Sequence, residues 1–199
     1  GMVFIMDLVI NHTSKDSPLI QEHPSWYRWK DGKVASPGAI HDSKWVEWGD
    51  LAEIDNMHSS DRSNLWNYWK SMMTHYIELG VDGFRCDAAY QVPTELWNHL
   101  ISGAQQKKPG CLFLAESLGC TPDQAEALAR VGFQYLFNSS KYWDFNAPWG
   151  MEQYHRFARV ASTISFPESH DTPRLMEETG GNLAMIKRSL CFAALFSKG

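Results

Sequence analysis

The chain has 199 residues, 44% of them hydrophobic and 21% charged, which is typical of a globular protein with a sizeable core. Its net charge is −5 and its Lys and Arg residues do not cluster, which argues against nucleic acid as a partner. No apolar stretch reaches the roughly 18–20 residues of a membrane span, and no signal peptide is evident, so we expect no membrane association.

The first predicted elements are a strand and a long excursion. Residues 2–10 are rich in Val, Ile and Met and predict a buried strand. Residues 12–60 contain Pro, Gly and several Trp without a sustained period, which predicts an extended loop region.

Helices and strands alternate after residue 60. Helical spacing or capping signals predict helices at about 62–79, 93–103, 122–130, 150–159 and 181–197. Short apolar runs predict strands at 81–87, 111–116, 133–137 and 161–167. Such alternation implies parallel strands joined by right-handed crossovers, either in a doubly wound sheet or in a (β/α)8 barrel.

Local signals mark several helix ends. Asp61 is a candidate N-cap, and Gly80 is placed to end that helix. Pro93 is expected in the first turn of the next helix, which Gly103 would end. Residues 121–124, Thr-Pro-Asp-Gln, match a capping box.

Polar residues recur where the apolar runs end. Asp87 follows VDGFRC, Glu116 ends CLFLAE, Asp171 ends ISFPESHD, and Asn11 and His12 end VFIMDLVINH. The carboxyl ends of parallel strands lie at one rim, so a site assembled there favours the (β/α)8 barrel over the doubly wound sheet.

Two of these acids have neighbours suited to catalysis. Arg85 and Asp87 point to the same side of their strand, and an adjacent positive charge keeps a carboxylate ionised, as a nucleophile requires; a purely structural pair is the alternative. Glu116 follows apolar residues, and partial burial would raise its pKa as a proton donor requires; a solvent-exposed strand end is the alternative.

Other chemistries have weaker support. Ser169, His170 and Asp171 are sequence neighbours and cannot easily form a triad, which is defined by geometry. Asp7 and His12 could ligate a metal with a distant carboxylate, although neither HExxH nor HxH spacing is present.

The four cysteines are Cys86, Cys111, Cys120 and Cys191, without CxxC spacing or the density of a disulfide scaffold. We expect unpaired thiols, which fits a reducing compartment such as the cytoplasm.

Four ordered blocks resemble the alpha-amylase family of glycoside hydrolases and transglycosylases. The blocks are DLVINH (7–12), GFRCDA (83–88), FLAES (113–117) and ESHD (168–171). The resemblance covers about residues 2–196 and implies a retaining enzyme acting on alpha-glucosidic bonds of oligo- or polysaccharides.

The resemblance also implies roles for site residues. Asp87 would be the nucleophile, Glu116 the acid/base and Asp171 the third carboxylate that braces the sugar. Substrate-binding or supporting roles would fall to His12, Arg85, His170 and Asp7.

The family comparison implies no required cofactor. Calcium is an option because Asn11 matches a frequent calcium ligand. Against calcium, Ala89-Tyr90-Gln91 stands where amylases often have x-Lys-His, whose His commonly helps bind calcium and whose Lys is a basic acceptor-site residue. In a separate departure, Ser169 stands where Asn usually precedes the His-Asp pair. These departures cast doubt on starch as substrate and leave room for a maltosyl-transferring, trehalose-active or sucrose-active relative.

Counting from the first block, residues 1–199 would form one partial barrel covering about strands three to seven. Exposed barrel edges would then allow self-association, and the fragment alone could be inactive. Two alternatives stay open: a catalytically incompetent carbohydrate-binding or interaction remnant, and an unrelated α/β enzyme with Asp87 and Glu116 more than about 10 Å apart.

Overall fold

A computed structural model of the chain describes residues 1–41, 44–144 and 146–198. Residues 42–43 of the predicted excursion and residue 199 at the end of the predicted partial barrel lie outside the described residues.

Strands and helices alternate along the described chain as the sequence predicts. The strands are β1 (Ile5–Leu8), β2 (His12–Ser14), β3 (Trp29–Lys30), β4 (Lys33–Val34), β5 (Gly38–His41), β6 (Lys44–Glu47), β7 (Leu51–Glu53), β8 (Gly83–Cys86), β9 (Leu112–Ala115), β10 (Tyr135–Phe137) and β11 (Ser162–Ile164). The α-helices are α1 (Leu19–Glu22), α2 (Arg62–Glu78), α3 (Thr94–Lys107), α4 (Pro122–Arg130), α5 (Trp149–Phe157), α6 (Leu175–Glu178) and α7 (Leu183–Leu195).

The main sheet has five parallel strands in the order β1-β8-β9-β10-β11. Each strand therefore pairs with the strand of the unit before it, and the sheet grows in one direction. A doubly wound sheet reverses direction at a switch point, whereas a barrel does not. The strand order thus supports the predicted partial (β/α)8 barrel.

The alternation of β8 sets both the core and the site. Phe84 and Cys86 are buried on one face, whereas Arg85 points to the other. Gly83 begins this strand because a Cβ there would lie 2.5 Å from the carbonyl oxygen of Leu112 on β9. The close approach of the two strands therefore excludes any larger residue.

The predicted excursion is folded onto the barrel by three antiparallel strand pairs, β2 with β7, β3 with β4 and β5 with β6. It is anchored by apolar residues that join the main core: Trp26, Tyr27, Ala52 and Ile54. No single period was visible in the sequence because strands this short hold too few residues to establish one.

Some predicted helix ends are confirmed and others are wrong. The capping box at residues 121–124 is present in both directions, with N–H to oxygen distances of 3.2 Å and 2.8 Å. Asp61 occupies the N-cap of α2, but its carboxylate accepts hydrogen bonds from Trp26 and Asn64 instead. Pro93 precedes α3 and is not in its first turn.

Gly103 does not end α3, which continues to Lys107. A Cβ at residue 103 would lie 3.0 Å from Cε of Lys70 on α2, so glycine here allows two helices to pack closely. Gly103 is predicted to end the helix, but its role in the structure is to allow α3 to pack against α2.

Within the described sheet, β1 and β11 each pair on one side only. Self-association through these edges stays a prediction, which size-exclusion chromatography would check.

Among the described helices, none combines the length and apolar character that crossing a bilayer demands. The four cysteines are free, as predicted, with Cys86 and Cys111 buried.

Candidate active site at the carboxyl ends of the strands

An ion network joins β1 to β8 at the rim where both strands end. Arg85 Nη1 donates hydrogen bonds of 2.9 Å to Asp7 Oδ1 and of 2.6 Å to Asp87 Oδ1. The parallel register places Asp7 directly opposite Arg85, and strand alternation places Asp87 on the same side as Arg85. One guanidinium therefore bridges two carboxylates.

Two of the three side chains of this network are largely enclosed. Arg85 and Asp87 expose 17% and 21% of their side chains, whereas Asp7 exposes 49%. Burial by itself would lower the pKa of Arg85, but hydrogen bonding to Asp7 and the charges of Asp87 and Asp7 outweigh it and raise that pKa. The guanidinium stays charged and keeps Asp87 oriented.

Glu116 follows β9 and lies beside Asp87. The backbone N–H of Ala88 donates to Oε2 at 3.0 Å, and that of Leu118 donates to Oε1 at 2.9 Å. Each carboxylate oxygen thus accepts one bond, which fixes the plane of the group and leaves lone pairs free for a proton.

Ala88 adopts a left-handed conformation with φ 41°, which is uncommon for a residue other than glycine. This turn directs the Ala88 N–H at Glu116 immediately after the strand that carries Asp87. Sequence reasoning missed both backbone donors, because backbone geometry leaves little signal in an Ala or a Leu.

Burial raises the pKa of Glu116, and the negative charge of Asp87 raises it further. The hydrogen bonds from Leu118 and Ala88 and the charge of Arg85 oppose this effect without cancelling it. Asp87 is paired with a cation, whereas the environment of Glu116 favours its protonated form. Such a difference between two neighbouring carboxylates is what distinguishes a nucleophile from a proton donor.

His12 lies at the same rim, with Nε2 3.8 Å from Asp87 Oδ2, which is too far for a hydrogen bond. Its ring packs edge-on against Trp48 of the excursion, with centroids 5.9 Å apart. Burial lowers the pKa of His12, while the charges of Asp87, Asp50 and Asp7 raise it in part. A neutral imidazole in this position can donate to or accept from a sugar hydroxyl.

The remaining predicted site residues lie on the segment after β11. His170 and Asp171 expose 68% and 71% of their side chains and face each other at 3.2 Å. Among the described residues, no hydrogen bond or ion pair joins Asp171 to Asp87 or Glu116. The structure therefore brings Asp7, His12, Arg85, Asp87 and Glu116 together, and leaves His170 and Asp171 in solvent.

The metal alternative finds no support in the described part of the chain, where no group of three or more His, Cys, Asp or Glu side chains could hold an ion. Asp7 and His12 instead belong to the carboxylate network, through Arg85 for the first and beside Asp87 for the second.

Comparison with known proteins identifies the family. Residues 1–110 match the alpha-amylase catalytic domain, and the chain belongs to the alpha-amylase family. This membership removes the alternative of an unrelated α/β enzyme and agrees with the four-block resemblance.

Two curated relatives carry the name alpha-1,4-glucan:maltose-1-phosphate maltosyltransferase. The protein from Burkholderia pseudomallei (strain K96243) is 26% identical over 89% of this chain and 15% of its own length. The protein from Myxococcus xanthus (strain DK1622) is 34% identical over 67% of this chain and 19% of its own length. The chain therefore spans less than a fifth of these two relatives.

Solved structures agree on the fold. An alpha-amylase from Lactobacillus plantarum superposes with a TM-score of 0.67 at 27% identity, covering 89% of this chain and 44% of that one. An alpha-amylase from Geobacillus thermoleovorans superposes with a TM-score of 0.72 at 17% identity, covering 96% and 46%. The prediction of a partial (β/α)8 barrel is confirmed.

Proposed function

We propose that the protein is a retaining glycosidase or transglycosylase acting on alpha-glucosidic bonds of oligo- or polysaccharides. The observation that carries this proposal is the pairing of Asp87 with Arg85 at 2.6 Å beside Glu116, whose pKa is raised by burial. Retention needs a nucleophilic carboxylate and a neighbouring proton donor; the pairing of Asp87 with Arg85 supports the first role, and the raised pKa of Glu116 supports the second.

The reaction proceeds in two displacements. Asp87 attacks the anomeric carbon and forms a covalent glycosyl ester while the glycosidic C–O bond breaks and Glu116 gives its proton to the departing oxygen. Glu116, now a carboxylate, removes a proton from the incoming hydroxyl, whose oxygen displaces Asp87. This sequence requires the two carboxyl groups about 5–5.5 Å apart.

The remaining residues position and bind. Arg85 orients Asp87, and Asp7 in turn fixes Arg85 from the other side. His12, which packs edge-on against Trp48, binds a sugar hydroxyl. Asp171 braces the sugar in the transition state and His170 binds a hydroxyl, which requires their segment to close over the bound substrate.

We further propose that the sugar acceptor is a glucan and that the group transferred is a maltosyl unit. Support comes from the names of the maltosyltransferase relatives, of which the Myxococcus xanthus protein is 34% identical. Hydrolysis is the second candidate, because the Lactobacillus plantarum structure at 27% identity is an alpha-amylase.

Product analysis separates these candidates. The protein, and a form extended at both ends to supply the rest of the barrel, would be incubated with maltooligosaccharides, sucrose and trehalose, each with and without maltose 1-phosphate. Maltosyl transfer from maltose 1-phosphate gives longer glucans together with free phosphate, whereas hydrolysis gives new reducing ends without longer glucans. No turnover of any substrate by the extended form would contradict both.

The rival from another class is a catalytically incompetent carbohydrate-binding or interaction remnant. The exposure of His170 and Asp171 favours it, since a working site must enclose its third carboxylate. Binding of maltooligosaccharides without turnover by the extended form would support the remnant.

A further inference from the structure

We infer that the side chain of Gln91, together with Asn11, fastens the excursion to the barrel directly through amide hydrogen bonds, in a protein that needs no calcium to hold this joint. Gln91 closes the single 3-10 turn that follows Asp87, and Asn11 immediately precedes His12. The inference concerns the fold of the rim and does not depend on the proposed reaction.

The side chain of Gln91 makes three hydrogen bonds, two of them to distant parts of the chain and one to its sequence neighbour. Its Oε1 accepts from Asn11 Nδ2 at 3.1 Å. Its Nε2 donates to the carbonyl oxygen of Gly38 at 3.0 Å and to the hydroxyl of Tyr90 at 3.2 Å. Both N–H bonds and one oxygen lone pair of a single amide are therefore used.

The orientation of both amides follows from the one partner that cannot change. A backbone carbonyl can only accept, so the nitrogen of Gln91 must face Gly38 and its oxygen must face Asn11. Asn11 must then present its own nitrogen. The backbone oxygen of Asn11 also accepts from Ile54 N at 3.1 Å, so residue 11 contacts the far end of the excursion as well.

This arrangement does not fit the calcium site that the family resemblance implies at Asn11. Calcium takes six to eight oxygens, usually with several carboxylates. Here the oxygen of Gln91 is occupied by an N–H of Asn11, and the contacts described for these two side chains include no carboxylate. Asn11 is also only 5% exposed, so water has little access to supply the oxygens that these two side chains lack.

The joint has a defined place in the fold. Gly38 begins β5, and Trp45 of β6 covers it so closely that a Cβ there would lie 2.7 Å from the indole. The bond from Gln91 therefore holds the β5–β6 hairpin as a unit against the turn after β8. Loss of that bond should release the hairpin and leave the sheet intact.

The test uses the unmodified protein and Gln91→Glu. This substitution keeps the shape and the acceptor for Asn11 but removes both donated bonds. Trypsin cleavage after the exposed Lys44, the first residue of β6, and after the exposed Lys33, on the preceding β4, is followed by mass spectrometry. We expect cleavage of the variant about fivefold faster, because opening the hairpin no longer breaks the bond to Gly38, and one such bond contributes roughly 1 kcal/mol.

Gln105→Glu is the matched control. Gln105 Nε2 donates to the carbonyl oxygen of Cys111 at 2.7 Å, and its Oε1 accepts from Gly110 N at 3.0 Å, so it also ties a loop through one amide. We expect this variant to leave cleavage at Lys33 and Lys44 unchanged. Equal acceleration in the two variants would overturn the inference.

The calcium arm needs no variant, so it tests the calcium independence of the joint even if Gln91→Glu fails to fold. The melting temperature and the cleavage rate of the unmodified protein are measured with calcium chloride and with EDTA. We expect both readouts to be the same in the two conditions. A melting temperature that rises with calcium, or cleavage that accelerates in EDTA, would overturn the inference.

Discussion

The two halves of the candidate site differ in how they are held. At the ends of β1, β8 and β9, the acids are fixed by Arg85 and by backbone N–H groups. After β11, His170 and Asp171 contact each other and remain more than two-thirds exposed. Both halves follow strands of the same sheet, so the strand ends alone do not account for the difference.

The contacts made by the excursion and by the neighbouring turns account for the difference in exposure between the two halves of the site. Residues of the excursion cover the first half, where Trp48 packs on His12 and Gly38 accepts from Gln91. On the other side, Glu168 accepts hydrogen bonds from the backbone N–H of Leu175 and from Arg174, which fixes the end of its own segment. Because the half with Asp87 and Glu116 is preorganised and the half with His170 and Asp171 is open, we expect substrate binding to bring the open half over the substrate and so complete the site.

The largest effect is expected from Asp87→Asn, which removes the nucleophile from the enclosed half. Turnover by the extended form should fall about ten-thousand-fold, because no other carboxylate can form the glycosyl ester. Initial rates on the active substrate measure this loss.

The matched control for that change is Asp82→Asn. Asp82 lies immediately before β8, as Asp87 lies immediately after it, and it pairs with Lys108 at 2.6 Å. We expect Asp82→Asn to retain turnover. A comparable loss in both variants would mean that the fold, and not the chemistry, has been damaged.

The second effect tests the open half. Asp171→Asn should lower kcat/KM about a thousandfold, the range seen when one transition-state contact is removed. Its melting temperature should not change, because exposed substitutions usually alter stability by less than about 0.5 kcal/mol. Asp16→Asn, also exposed, controls for surface charge. Full activity in Asp171→Asn would remove this residue from the proposed site.

The third effect sharpens the role of the ion network. Arg85→Met should lower kcat about a hundredfold with less change in KM, because Asp87 would lose its orienting partner. Arg85→Lys should retain part of the rate. Arg130→Met, a control on the exposed pair with Glu126, should retain the full rate of the unmodified protein. A change in KM alone would reassign Arg85 to substrate binding.

The smallest effect is on stability at acidic pH. Burial lowers the pKa of His12 below its ordinary 6.5, so the folded protein binds fewer protons than the unfolded chain. The stabilisation is complete above that value and is lost as the pH falls through the folded pKa. Urea unfolding at about pH 7.5 and about pH 5.5 should show a smaller pH dependence in His12→Asn.

His58→Asn, which changes an exposed histidine, should leave that pH dependence as it is in the unmodified protein. An identical slope in all three proteins would mean that His12 titrates normally in the folded state.

Much of the enclosed half could be predicted from the sequence. The alternation of Arg85, Cys86 and Asp87 along one strand fixes which side chains share a face, and the structure places Arg85 and Asp87 in contact. The order of strands and helices predicted the sheet. The end of α3 could not be predicted, because Gly103 serves packing against Lys70 on a different helix.

The sequence by itself determined the parallel sheet, its helices and the rim at which Asp7, Asp87 and Glu116 lie, because side-chain period and capping are properties of a few neighbouring residues. Only the tertiary structure decided that Ala88 and Leu118 hold Glu116, that Gln91 joins Asn11 to Gly38, and that Asp171 stays in solvent. Such contacts depend on how distant segments pack against one another, and residues far apart in the chain carry no local signal of their pairing.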